Sequence, residues 1–122
     1  MRKMLLSINP EHVENIFNGS KQFEFRKIKC KSDVDKIVIY STSPVMRVVG
    51  EVDLLGVIED IPDKVWDITA EYSGITKRFY DQYFEHKEKA IAYRLGEVKK
   101  YREPLKLSDF GISFAPQSFV YI

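Results

Sequence analysis

The stretch RVVGEVDLLGVIED, residues 47–60, constrains the fold more than any other part of the chain. Its aliphatic and β-branched residues predict one long strand, and Gly50 and Gly56 inside it mark points where a strand bulges or bends. A sheet built around it is bent. The segments on either side also read as strands. MLLSI (4–8) has the character of a short buried strand, and DKIVIYST (35–42) is rich in β-branched residues. QFEFRK (22–27) and KAIAYRLGEVKKY (89–101) alternate with period two, and QSFVYI (117–122) closes the chain as a last short strand.

Three helices fit between them. Asn9-Pro10-Glu11 offers an N-cap, a proline at the first helical position and an acid in the first turn. Val13, Ile16 and Phe17 then fall on one face and Gly19 supplies the stop, predicting a helix over 10–18. A second helix is expected over 62–70 with Val65, Trp66 and Ile68 inward, broken by Tyr72-Ser73-Gly74. Thr76 caps a third, whose aromatic stripe of Phe79, Tyr80, Tyr83 and Phe84 reads as core. The strands are not separated by regular helices, which argues against a doubly wound parallel sheet. The expected fold is α+β: a mixed β-barrel of about five to six strands with about three helices packed outside it, because closure removes exposed edges. With 122 residues and no repeat or linker, one domain spans 1–122.

Apolar residues make up 44% of the chain, enough for a core and too many for a disordered segment. The lone cysteine, Cys30, makes no internal disulfide and no zinc site, so a cytoplasmic setting is expected, with no metal and no cofactor. MRKMLLSINP imitates a signal peptide only briefly before Asn9-Pro10 ends its apolar run, and no stretch is long enough for a membrane span. The nucleotide-binding glycine loops, the zinc-protease helix and the nucleophile-elbow motif are absent. His12 and His86 are expected at exposed helix or turn positions, in surface roles.

Net charge is +1, but its distribution is uneven. Residues 21–31 carry five basic side chains and one acid, whereas 51–71 carry seven acids and one lysine. That asymmetry suits a phosphate or carboxylate ligand, without the strongly basic balance of a dedicated duplex binder. Within the basic run, Gln22, Glu24 and Arg26 share one strand face, Phe23 and Phe25 the other. The phenylalanines face the core. The charged row faces bulk water or the inside of a cleft, with Lys21 at the turn able to reach over the same opening.

The segment GSKQFEFRK carries Gly19, Lys21, Glu24 and Arg26 in the spacing G-x-K-x-x-E-x-R, and in this it resembles the ASCH family of the PUA-like superfamily. The resemblance extends over nearly the whole chain: LLSINPEHVENIFNG resembles the leading strand and helix, IVIYSTSPVMRVVGEV the following strand pair, and KAIAYRL through the tail the closing strands. It implies a PUA-like barrel whose signature lines a cleft for RNA, a nucleotide or a modified nucleoside. Lys21 and Arg26 would then serve phosphate and Glu24 a base amine. Tyr40, Ser41 and Ser43, at the end of what is taken as the adjacent strand, would add hydroxyls and a ring face. Gln117 and Ser118 would close the cleft from the tail.

The resemblance implies two further classes. Some small relatives deacetylate N4-acetylcytidine, with a lysine as base, a threonine three residues later as nucleophile and a distant glutamate in support. Here Lys21 matches, Ser20 would point elsewhere, and Glu71 is the candidate for the supporting acid. Glu24 occupies the threonine's place, and a carboxylate substitutes poorly for an activated hydroxyl, so efficient deacetylation is not expected. Metal-free RNA cleavage would use Lys21 and Glu24 as its catalytic groups, with Arg26 as a second cation. A binding module is favoured over either enzyme. A protein-interaction domain, such as a transcription or translation regulator docking through the acidic 51–71 segment, comes third.

Overall fold

The structure, a computed structural model, describes residues 2–122. Six strands form one sheet in the order β2-β5-β4-β3-β1-β6, with β1 Arg2–Ile8, β2 Phe23–Arg26, β3 Val34–Ser41, β4 Arg47–Asp60, β5 Ala90–Leu105 and β6 Phe119–Tyr121. β1 and β3 run parallel and the other pairs antiparallel. The helices are α1 Pro10–Phe17, α2 Pro62–Thr69 and α3 Lys77–Tyr83, with 3₁₀ turns at Ala70–Tyr72 and Leu107–Phe110. The expected α+β architecture is present, with one difference. The sheet is a curled half-barrel in which β2 and β6 remain edges.

The long strand bends where its glycines stand. The β4–β5 register shifts between Val48 and Gly50, between Val52 and Leu54, and between Leu54 and Gly56. A side chain at Gly50 would begin 2.6 Å from the Lys99 carbonyl and 2.9 Å from the Phe17 ring. That close approach is what lets α1 settle against the concave face.

Burial on both faces of the sheet follows from strand alternation. Met4, Leu6 and Ile8 of β1 join Val13 and Ile16 of α1, Ile37 and Ile39 of β3, and Tyr93 of β5 in the inner cluster. Leu5 points the other way, to Val38, Tyr40 and Val48, under a cover that includes Leu107 and Phe110. β1 is therefore apolar at consecutive positions because it is an interior strand. Phe23, Phe25, Ala90 and Ala92, on the outer face of β2 and β5, pack on Val65 of α2, on Tyr80 of α3 and on Phe84, which ends that helix. Thr76 caps α3 as expected, its hydroxyl accepting the Phe79 N–H at 3.1 Å. Ile68 differs from expectation: it is 55% exposed, because α2 turns Val65 and Thr69 inward. Cys30 is a buried core residue. No helix among the described residues is long and apolar enough to cross a membrane.

Candidate functional site

The site is set by the turn after α1. Gly19 adopts φ +86° and its N–H donates to the Ile16 carbonyl at 3.3 Å. The chain then reverses, with Lys21 N–H donating to Asn15 O at 3.0 Å and Gln22 N–H to Tyr72 O at 2.8 Å. So anchored, the Lys21 side chain runs inward and is 2% exposed, instead of arching over an opening. Its ammonium donates to the Ser73 carbonyl at 2.7 Å, lies 3.6 Å from Glu24 Oε1, and sits 5.0 Å over the Phe25 ring. Gly74 makes room for the lysine stem. It holds φ +69°, and a β-carbon there would lie 2.4 Å from Lys21 Cβ.

Glu24 is opposite Tyr93 in the β2–β5 ladder, so it shares the inner face of the sheet. It is 5% exposed. Arg26 donates to Glu24 Oε2 from Nε at 3.2 Å and from Nη2 at 2.7 Å. Nη2 also donates to the Ser7 carbonyl of β1 at 2.8 Å. One guanidinium thus ties edge strand β2 to β1, the neighbour of the opposite edge. Ser7 in turn holds the tail, its hydroxyl donating to Pro116 O at 2.8 Å and its N–H to Ser118 O at 3.4 Å.

A cleft of about 290 Å³ opens onto this triad. Lys21, Glu24, Arg26 and Gln117 line it together. One wall is aromatic: the Phe79 and Tyr83 rings of α3 lie parallel, 7° apart in plane with centroids 6.4 Å apart. Lys27 Nζ stands 4.5 Å from the centre of the Tyr83 ring. Burial holds the Lys21 ammonium below its ordinary pKa, against the pull of Glu24. Burial also lowers the His12 pKa, and the charge of Lys21 adds to this, while Glu24 and Glu11 oppose it.

Several sequence-based expectations are relocated. Tyr40, 4% exposed, belongs to the core on the far face of β3. Ser41 is buried in the β1–β3 ladder opposite Ile8, and Ser43 is exposed in the turn after β3. None of these three lines the cleft, because the strand beside β2 is β5 and not β3. Ser118 contributes only a backbone carbonyl to the tail's attachment. Glu71 and Ser20 border an adjoining groove. His86 is exposed, as expected, but His12 is half-buried in the cleft wall, edge-on to Phe79 at 5.8 Å. Its spacing of four from Ile16, an inward residue, is a signal that places it at the margin of the buried helix face.

A curled α+β half-barrel carrying a carboxylate between two cations at the end of a cleft defines the class of protein. Residues 6–99 match the ASCH domain family, and the chain belongs to it. It is 30% identical over 109 residues to an ASCH domain-containing ribonuclease of Zymomonas mobilis, covering 88% of this chain and 73% of that protein. The crystal structure of ASCH from Zymomonas mobilis superposes with a TM-score of 0.89 at 27% identity, over 98% of this chain and 87% of that one. The chain is also 34% identical over 120 residues to part of a protein named ATP synthase subunit alpha in Ureaplasma parvum. That match spans 98% of this chain but only 15% of the relative's length.

Proposed function

We propose that this domain binds single-stranded RNA and holds one nucleotide in the Lys21–Glu24–Arg26 cleft. The observation that carries the reading is the triad's construction. Two cations flank one carboxylate, so the group keeps a net positive charge, and it lies beside an aromatic wall. Arg26 spends Nε and Nη2 on Glu24 and Ser7, and its Nη1 is the donor offered to phosphate. Glu24 supplies the acceptor for a base amine, and Phe79 with Tyr83 supplies a face for the ring. Gln117 reaches the same cleft from the tail. The relative named a ribonuclease supports an RNA ligand over a purely protein partner. The acidic 51–71 segment adds little to the protein-docking reading, since Glu51 and Asp53 are paired with Lys36 and Glu59 with Lys29. Binding of short RNAs, measured by fluorescence anisotropy, tests the proposal. Affinity should fall with salt and fall in Arg26→Ala, whereas salt-independent binding equal in both proteins would refute it.

RNA cleavage is the second reading. The named activity of the Zymomonas relative favours it, as does the presence of two nitrogen bases, Lys21 and His12, on the cleft. Both have pKa values lowered by burial, the direction that makes a base available near neutral pH. Incubation of labelled RNA with excess protein in chelator decides between cleavage and binding alone.

A further inference from the structure

The cleft does not end at His12. A groove of about 470 Å³ continues from it, and Asn9, His12, Ile75 and Phe79 border both. The two halves differ in chemistry. Lys21 and Arg26 line the first, whereas the second is bordered by Glu11, Glu71 and the hydroxyl side chains of Ser20 and Thr76, with no lysine or arginine among its lining residues. Phosphate therefore belongs to the first half or the junction, and an uncharged base with its sugar to the second. Two groups at the junction keep part of their surface or hydrogen-bonding capacity unused. Phe79 is 46% exposed, although its helix neighbours Tyr80 and Phe84 are buried. His12 has its Nδ1 enclosed with no hydrogen-bond partner, so a ligand meets the ring at Nε2.

We propose that the groove beyond Phe79 is a second nucleotide subsite, in which Phe79 stacks the base and His12 contacts the phosphodiester joining it to the nucleotide in the first cleft. This rests on the RNA-binding reading above. The site then accommodates two consecutive nucleotides of one strand, which suits single-stranded RNA and not a paired helix, since the bases are splayed to either side of a ring. Charge at the junction gives the arrangement a signature. The groups facing His12 are Lys21 and Arg26, which disfavour the imidazolium, and Glu24 and Glu11, which favour it, with Glu71 on the same groove. Burial and Lys21 prevail in the free protein. A phosphodiester at the junction adds a negative charge and an acceptor beside the ring, so binding raises the His12 pKa and is accompanied by proton uptake.

The test compares 2′-O-methyl mononucleotides and dinucleotides, all 5′-phosphorylated, which lack the free hydroxyl that metal-free cleavage needs. Calorimetry should show the dinucleotide binding about tenfold more tightly than the mononucleotide. Phe79→Ala should abolish that gain and Phe79→Tyr should keep it. Proton NMR of the imidazole, assigned by comparison with His86→Asn, should show the His12 titration moving to higher pH with the dinucleotide. Equal affinities for the two ligands, a gain that survives Phe79→Ala, or a His12 titration unmoved by dinucleotide would overturn the subsite. Mononucleotide binding that is lost in Arg26→Ala judges the first cleft separately, so the subsite can fail while that reading stands. If neither ligand binds, both fall.

Discussion

At the scale of the residue, burial changes what the signature charges do. On a solvated strand, Glu24 would hold ion pairs contributing roughly 0–1 kcal/mol. Here it is 5% exposed and is shared by Arg26 at 2.7 Å and Lys21 at 3.6 Å. Removing its charge leaves a buried ammonium without its counter-ion, so Glu24→Gln should destabilise the fold by ~3 kcal/mol in denaturant titration. Lys21→Met should cost less, because Glu24 keeps its Arg26 bonds and the methionine needs no solvation. The same variant isolates a pH effect. The Lys21 ammonium titrates lower in the folded chain than its unfolded value of 10.5. Between those two points the unfolded state binds more protons, so the stability of the parent protein should rise with pH there, and it should rise less in Lys21→Met. His12 follows the same sign on the acid side. Its folded value lies below 6.5, so stability should be lost as pH falls from 6.5 toward that value, and His12→Asn should lose less.

At the scale of the element, the period-two pattern of QFEFRK was legible and its meaning only half so. Alternation put Phe23 and Phe25 on one face and Glu24 and Arg26 on the other, and the ladder opposite Phe25 and Glu24, Ala92 and Tyr93, bears this out. Local pattern does not say that both faces are covered, since that depends on which strand lies next door. The same gap misplaced Tyr40 and Ser41, whose strand is two removed from β5 in the sheet. Hydrophobicity alone misread Ile68 and Phe79, which are apolar yet face outward. The elements make sharp predictions. Phe25 packs edge-on to Tyr80 at 5.2 Å and to Phe84 at 6.3 Å, so Phe25→Ala should cost ~3–5 kcal/mol in the same titration. Thr76→Ala removes the α3 cap and should cost ~1 kcal/mol. Gly74→Ala is expected to exceed the ~1–2 kcal/mol of left-handed strain alone, because the new methyl meets the Lys21 stem. Its melting temperature should therefore fall further than that of an alanine at Gly111, which has a similar φ and open space around it.

At the scale of the whole molecule, the barrel expected from the strand pattern stops short of closing, and the candidate site occupies the unfinished seam. The hydrogen bonds that a sixth pairing would have made are replaced by one side chain, Arg26, reaching from β2 to the Ser7 carbonyl of β1 while gripping Glu24. A residue that joins two ends of a sheet and also offers a donor to ligand has two losses to show on mutation, and two substitutions separate them. Arg26→Lys keeps a positive charge but lacks the planar fork that grips Glu24 through Nε and Nη2 while Nη2 reaches Ser7. It should lower the melting temperature and speed hydrogen exchange at the Ser7 amide, which donates to Ser118, while the salt dependence of RNA binding stays close to that of the parent protein. Arg26→Ala should lower stability as well and, in addition, reduce the slope of log K against log salt by about 0.7, the loss of one phosphate contact on a single strand. If Arg26→Lys flattens the salt slope as much as Arg26→Ala does, phosphate recognition depends on the fork geometry and not on charge. If neither changes it, Arg26 is a clasp for the seam, and the phosphate contact must come from the basic residues that follow it, Lys27, Lys29 and Lys31.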